Sequence, residues 1–181
     1  MKKCLLILIL FTNNAFAEVK SSIIKNLENI NNISFEFEQN INGKIENGNC
    51  IIQYPKKIYC NYNLSNEKKL VSNGKSLVIK TKTSYYLYPL EKTPLNLILD
   101  KNFLLNKILN IKERIVENKF INFSFEENDN EINIFFDKNN YDLIGWQTVD
   151  IYQNLSITFL SSIVKNQDLN KDIFILPKQN L

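Results

Sequence analysis

Apolar and polar residues alternate with a period of two along most of the chain. In residues 33–41, for example, Ile33, Phe35 and Phe37 are separated by single polar residues. Such alternation is typical of a strand with one buried and one solvated face. The pattern continues in segments at residues 50–54, 58–62, 69–72, 75–80, 85–90, 121–126, 131–137, 143–152 and 155–165. With residues 173–176 as a closing strand, the sequence predicts roughly nine to eleven strands.

Two segments depart from this alternation. Residues 19–31 carry apolar side chains at helical spacing, including Ile23, Leu27 and Ile30, and therefore predict an amphipathic helix. Residues 93–109 form a dense apolar cluster that we expect to be helical or irregular. Because an antiparallel sheet must cover its apolar face, these two segments are its natural covers. The expected fold is mainly β, with one large antiparallel sheet and an α cover.

Cys50 and Cys60 lie in neighbouring predicted strands, which a Pro-Lys-Lys turn joins into a hairpin. Counting by twos places each thiol on the apolar face of its strand. In an oxidising compartment such a pair persists as a disulfide. Closing so short a loop would stabilise the fold by on the order of 2 to 3 kcal/mol. We favour the disulfide; the alternative is two unpaired buried thiols that pack as small apolar groups.

The first 17 residues are typical of a cleavable secretory signal peptide. Two lysines precede an unbroken apolar run at residues 4–11, and Ala15-Phe16-Ala17 supplies a small-x-small cleavage site. This run is much shorter than the ~20 apolar residues that cross a bilayer, which disfavours a membrane anchor. We therefore expect cleavage after Ala17, followed by a single domain at residues 18–181.

Composition argues against several classes of function. The chain has 22 Lys+Arg, 19 Asp+Glu and a net charge of +3. It has no basic patch interleaved with aromatic residues, so we expect no nucleic-acid partner. Histidine is absent, which removes the commonest general base and the commonest metal ligand. Without metal-ligand spacing either, we expect no catalytic residue, no metal site and no cofactor.

Several of the predicted elements have a recognisable order and content. Three of them, taken together, are moderately specific for one protein family. They are a Phe-Glu-Gln strand at residues 37–39, a Val-Ser-Asn-Gly hairpin at 71–74 and a Thr-Pro-Leu segment at 93–95. Gly145-Trp146 and a late strand ending in Phe174 and Pro177 extend the match over nearly the whole chain after residue 17. In this order the elements resemble the periplasmic outer-membrane lipoprotein carrier family, LolA.

The resemblance implies an unclosed half-barrel lidded by helices, with an apolar cavity that accepts the acyl chains of lipoproteins. It implies a monomeric periplasmic carrier that performs no chemistry. Such a carrier takes outer-membrane lipoproteins from an inner-membrane ABC lipoprotein-release complex and passes them to an outer-membrane lipoprotein acceptor. The ligand-binding residues implied by motif position are Phe35, Phe37, Ile52, Tyr54, Ile58, Cys60, Tyr62, Leu95, Ile98, Leu99 and Trp146.

One position departs from the family pattern. Many members carry an arginine directly before the hairpin proline, where it holds the lid by hydrogen bonds, but this chain has Tyr54 there. A phenol can donate only one such bond. We therefore expect lid closure to depend more on apolar packing, on Tyr54 itself, or on nearby Lys56 and Lys57.

Other functions are compatible with the same pattern, because fold alone does not determine function. The nearest alternative is a periplasmic sensor or carrier of another lipid on the same half-barrel. A periplasmic enzyme acting on envelope glycans or lipids would need polar groups that converge in the cavity. A structural envelope protein is disfavoured if the chain is a freely soluble monomer. From the pattern alone, the aromatic positions fit an ordinary sealed core better than a cavity lining.

Overall fold

A computed structural model describes residues 13–64, 66–149 and 154–179, with side chains from residue 18 onward. Residues 1–12, which contain most of the expected signal peptide, lie outside the described part. None of the helices in the described part is both long and apolar enough to cross a membrane.

Eleven strands of the described chain form one antiparallel sheet, as the alternation predicts. They are β1 (Asn32–Ile41), β2 (Lys44–Gln53), β3 (Lys57–Tyr62), β4 (Lys69–Asn73), β5 (Ser76–Lys80), β6 (Tyr85–Pro89), β7 (Arg114–Val116), β8 (Phe120–Glu127), β9 (Asn130–Asp137), β10 (Leu143–Val149) and β11 (Leu155–Lys165). Their order in the sheet is β6-β5-β4-β3-β2-β1-β11-β10-β9-β8-β7. Since β6 and β7 lie at opposite ends and do not pair with each other, the sheet is unclosed.

In the part of the chain that the structure describes, three α-helices cover the apolar face of this sheet: α1 (Asn13–Glu28), α2 (Leu95–Ile98) and α3 (Lys101–Asn110). Each helix contributes side chains to the buried core, such as Ile23 of α1, Ile98 of α2 and Leu104 of α3. We call residues 93–110, which contain α2 and α3, the lid. The expected unclosed half-barrel with helical covers is confirmed.

Helix α1 ends earlier than the apolar spacing predicts. It stops at Glu28, although Ile30 is still buried. The cause is Asn166, just after β11, because its side chain donates a hydrogen bond to the Asn29 carbonyl (2.9 Å) and accepts one from the Asn31 amide (2.7 Å). These bonds occupy backbone groups that a longer helix would use itself.

The prediction of a closing strand at residues 173–176 is wrong. Residues Lys171–Phe174 form a 3₁₀ helix, which the Asn170 side chain caps by accepting a hydrogen bond from the Asp172 amide (2.9 Å). Phe174 is buried by this turn, and the Lys57 ammonium lies 5.8 Å from the centre of its ring. An apolar run of this length can be buried as a helical turn as well as a strand, and periodicity does not separate the two.

Candidate functional site

A cavity of about 460 Å³ opens on the apolar face of the sheet, between β1–β6, the ends of β10 and β11, and the start of the lid. Its size falls within the ~300–1,000 Å³ that is usual for small-molecule sites. Its lining divides into an apolar part and a polar part. The apolar lining comprises Phe37, Ile41, Cys50, Ile58, Cys60, Leu70, Leu77, Ile79, Pro94, Leu95, Trp146 and Val149.

The hairpin of β2 and β3 forms part of the apolar lining, and a disulfide crosses it. Cys50 and Cys60 are directly opposite each other in the strand register, with a Cα–Cα distance of 4.1 Å, and they are bonded. Both are buried, and both line the cavity. The predicted disulfide is confirmed, and it joins the two strands at the cavity wall.

Aromatic rings form the next part of the wall. Phe37, Gly48 and Tyr62 are register partners across β1, β2 and β3. Because Gly48 carries no side chain, the rings of Phe37 and Tyr62 meet above it, edge to face, with centroids 4.9 Å apart. A Cβ at Gly48 would lie 2.1 Å from the Asn61 carbonyl oxygen, so this close approach requires glycine.

The implied ligand-binding residues divide into two groups. Six line the cavity: Phe37, Ile58, Cys60, Tyr62, Leu95 and Trp146. All eleven belong to the buried core or pack against it, and the other five do not line the cavity: Phe35, Ile52, Tyr54, Ile98 and Leu99. The two groups touch where the Trp146 and Phe35 rings pack edge to face, with centroids 6.2 Å apart. With the lid in this position, the cavity therefore exposes only some of the eleven residues that the family resemblance implies as ligand-binding.

The polar part of the lining contains three charged residues that are not among the expected ligand-binding residues. Lys44, Glu46 and Lys68, which we call the polar cluster, lie at the cavity wall. Glu46 faces inward from β2 with its side chain only 3 % exposed, and its two carboxylate oxygens accept hydrogen bonds from the two lysines. The period of two places Glu46 on the same face as Cys50, so the alternation contained a signal for it.

Uncharged polar side chains lie beside this cluster. The Gln39 amide donates hydrogen bonds to the hydroxyls of Ser156 (2.9 Å) and Thr158 (3.1 Å) on β11. Its carbonyl oxygen accepts a bond from the Tyr62 hydroxyl (3.3 Å). Burial, and to a lesser extent the charge of Glu46, raise the pKa of Tyr62, so the phenol stays neutral and remains a hydrogen-bond donor.

The lid is fastened to the rest of the fold by two lysines. Lys56, in the β2–β3 turn, donates its backbone N–H to the Leu99 carbonyl (2.9 Å), and its ammonium lies 3.1 Å from the Asp100 carboxylate. Lys101, at the start of α3, donates to the carbonyls of Glu28 (3.0 Å) and Ile30 (2.9 Å), at the end of α1. These bonds join α1, the lid and the hairpin turn.

Tyr54 does not replace the family arginine as a hydrogen-bonding group. Its hydroxyl is buried and makes no hydrogen bond to any residue in the described part of the chain. Burial raises the pKa of the phenol, which keeps it uncharged. The residue packs against the core, with the Lys101 ammonium 5.9 Å from its ring centre. Of the candidates near this position, Lys56 is the one that bonds to the lid.

The unclosed antiparallel sheet, the helices that cover its apolar face and the cavity bordered by its strands and the start of the lid together define a half-barrel fold. Residues 28–176 match the family model described as outer membrane lipoprotein carrier protein LolA, and the chain belongs to this family. No curated protein matches the chain.

Solved structures that the chain resembles have very different sequences. An uncharacterised conserved protein from Thermus thermophilus is 6 % identical, with a TM-score of 0.51 over 91 % of this chain and 96 % of that one. A LolA superfamily protein from Nitrosomonas europaea is 9 % identical (TM-score 0.44; 87 % and 97 % covered). The Mycobacterium tuberculosis lipoprotein LppX is 10 % identical (TM-score 0.49; 89 % and 100 % covered). At these identities the likeness concerns the fold alone.

Proposed function

We propose that this protein is a periplasmic carrier that holds the acyl chains of outer-membrane lipoproteins in its cavity. The observation that carries the proposal is an apolar-walled cavity of about 460 Å³ under a lid, in a member of the lipoprotein carrier family. In this proposal residues 1–17 are a signal peptide cleaved after Ala17, and residues 18–181 are the working domain. A carrier that moves between two membranes must be anchored to neither.

Acyl chains bind first against the six implied residues that already line the cavity. Opening the lid then exposes the five that are packed beneath it or belong to it, because Ile98 and Leu99 would move away from Phe35, Ile52 and Tyr54. Burying a dozen methylenes at ~0.8 kcal/mol each would yield roughly 10 kcal/mol. The closed empty state buries part of the same apolar surface, so the lid competes with the ligand and lowers the net affinity to a level that permits release.

The proposed partners are those of the family: an inner-membrane ABC lipoprotein-release complex that loads the carrier, and an outer-membrane acceptor that unloads it.

The second candidate function is a sensor or carrier of another lipid. The charged groups in the cavity lining are the observation that favours this candidate. The polar cluster also bears on the enzyme alternative. Because Lys44 and Lys68 engage both oxygens of Glu46, the arrangement suits binding an ion better than transferring a proton.

Identifying the ligand that copurifies with the exported protein tests this function. The protein is purified from the periplasm without detergent, and its ligand is analysed by native and then denaturing mass spectrometry. We expect peptides that carry a thioether-linked diacylglyceryl group. A variant with Leu95→Asp, which puts a charge into the apolar lining, should carry less of the same ligand, whereas Leu109→Asp, at an exposed position on α3, should carry as much as the wild type.

Two other results would change the conclusion. A lipid without peptide would replace the lipoprotein with another amphiphile and favour the second candidate. If the protein emptied of copurified material bound no acyl chain, and if the fluorescence of Trp146 did not respond to lipid, the carrier function would be wrong.

A further inference from the structure

The polar cluster places a surplus positive charge at the wall of an otherwise largely apolar cavity. Glu46 is a buried carboxylate, and it contacts the ammonium groups of Lys44 (2.7 Å) and Lys68. Of the described residues that line the cavity, these three are the charged ones. One carboxylate offsets one ammonium, so the cluster carries a net charge of about +1 at neutral pH.

The carboxylate stays ionised in this setting. Burial by itself would raise the pKa of Glu46, but the hydrogen bonds and charges of the two lysines outweigh burial and hold the pKa below its usual value. Each ammonium has three donors and gives one of them to Glu46, so donors remain for a further acceptor. The cluster therefore keeps ammonium donors that its own ion pairs do not use.

Lys68 lies at the boundary between the polar and the apolar lining. Its ammonium is 4.1 Å from the ring centre of Tyr62, which also packs against the ring of Phe37 and donates its hydroxyl to the side-chain carbonyl of Gln39. The Lys68 side chain is 18 % exposed, whereas that of Lys44 is 70 % exposed. Lys68 is thus held at the cavity wall by a carboxylate and an aromatic face, while Lys44 extends toward solvent.

We infer that the polar cluster binds an anionic group, a carboxylate or a phosphate ester, on the same molecule whose acyl chain occupies the apolar part of the cavity. This inference rests on the proposed function, since it assumes that an acyl chain binds there. The inference adds that, among amphiphiles of equal chain length, the protein binds those with an anionic group more tightly than neutral or cationic ones. Lys68 and Lys44 face the anion, and Glu46 positions both ammonium groups and limits the attraction.

A series of ligands with one chain length separates the charge from the chain. Dodecanoate, dodecyl phosphate, 1-dodecanoylglycerol and dodecyltrimethylammonium are titrated below their micelle concentrations into the delipidated exported protein, by calorimetry and by Trp146 fluorescence. We expect at least one of the two anions to bind about tenfold more tightly than the neutral glyceride, because one partly screened charge pair contributes an energy of that size. The cation should bind most weakly. Whichever anion binds more tightly identifies the group.

Three variants test the residues. Lys68→Gln and Lys44→Gln should lose most of the anion preference and keep the affinity for the neutral glyceride. Glu46→Gln should increase the preference for anions, because it raises the net positive charge of the cluster. Lys138→Gln removes a lysine from the β9–β10 turn, outside the cavity lining, and should bind all four ligands as the wild type does.

The outcomes are distinguishable. Equal affinities for anions and the neutral glyceride in the wild type would overturn the anion site and leave the carrier function standing. A preference that persists in both lysine variants would also overturn the assignment. Failure of all four ligands to bind would instead contradict the carrier function. Thermal melts of each variant show which ones fold, and Lys44→Gln, at an exposed side chain, keeps the test available if Lys68→Gln does not fold.

Discussion

The ammonium of Lys56 lies 3.1 Å from the carboxylate of Asp100, so an ion pair joins the β2–β3 turn to the residue that caps α3. Asp100 also accepts a hydrogen bond from the Phe103 amide (3.1 Å), and the Lys56 amide bonds to the Leu99 carbonyl. The lid of this protein is thus fastened two residues after the position where many family members carry an arginine. A single ion pair with both partners partly exposed is a weak and reversible connection.

Removing this ion pair should loosen the lid. For Lys56→Gln we expect faster amide exchange in residues 95–110, by a factor consistent with the ~0.2–1 kcal/mol of a partly exposed pair. Hydrogen–deuterium exchange with mass spectrometry measures this directly. Lys82→Gln breaks an ion pair with Glu67, which lies outside the lid and is mostly exposed, and serves as the control. Equal exchange of the lid in both variants would show that Lys56 does not hold it.

The hydroxyl of Tyr54 should contribute nothing favourable to stability. It is buried without a hydrogen bond in the described part of the chain. Tyr54→Phe should therefore leave the free energy of unfolding unchanged or raise it by up to about 1 kcal/mol, and the melting temperature should follow. Tyr62→Phe removes the bond to Gln39 and should lower the unfolding free energy by ~0.5–1.5 kcal/mol. Thermal denaturation of the two variants tests the contrast, which a loss of stability in Tyr54→Phe would refute.

The disulfide should stabilise the hairpin that forms the cavity wall. Cys50 and Cys60 are separated by 10 positions in the sequence. For a loop of that size, replacing both by alanine should cost on the order of 2 to 3 kcal/mol. Urea denaturation measures the difference, and reductant should destabilise the wild type but not the double variant. If reductant had no effect on the wild type, the two thiols would be unpaired in the purified protein.

The ionised state of Glu46 should make stability depend on pH. Because the lysines hold its pKa in the fold below the value of an unfolded chain, the unfolded state binds the proton more tightly. The stabilisation is therefore present above the ordinary carboxyl pKa of ~4.3 and is lost as the pH falls through the lower folded value. Melting temperatures between pH 6 and pH 3 should fall less steeply in Glu46→Gln than in the wild type. Identical slopes would show that Glu46 is not held ionised by the two lysines.

Much of the fold follows from local patterns. The period of two predicts most of the strand positions, since a sheet with one buried face requires that alternation. The same count favours a bridge between Cys50 and Cys60 over two unpaired thiols, but the strand register that places them opposite each other comes from the structure. The C-terminal turn does not follow, because an apolar segment as short as the one around Phe174 can be buried in either form, and its neighbours in space decide which.

The site was less predictable than the fold. The resemblance implies both Trp146 and Ile52 as ligand-binding residues, yet Trp146 lines the cavity while Ile52 is fully buried in the core. Both lie on apolar faces and both belong to the buried core, so the alternation alone does not distinguish a cavity-lining position from a fully packed one. Glu46 shows a second limit. Its place on the buried face is visible in the alternation, but its partner Lys68 is 22 positions away in a connecting segment, and sequence spacing does not reveal such a contact.

The most direct measurement for the carrier function is release of a lipoprotein from inner membranes. The exported protein is added to vesicles that contain its own inner-membrane ABC complex, ATP and a labelled lipoprotein, and the supernatant is separated by size exclusion. We expect the lipoprotein to leave the membrane as a soluble one-to-one complex with the carrier, and we expect Leu95→Asp to release less of it. If the lipoprotein stayed in the vesicles with the wild-type protein present, the claim that this cavity carries lipoproteins would be wrong.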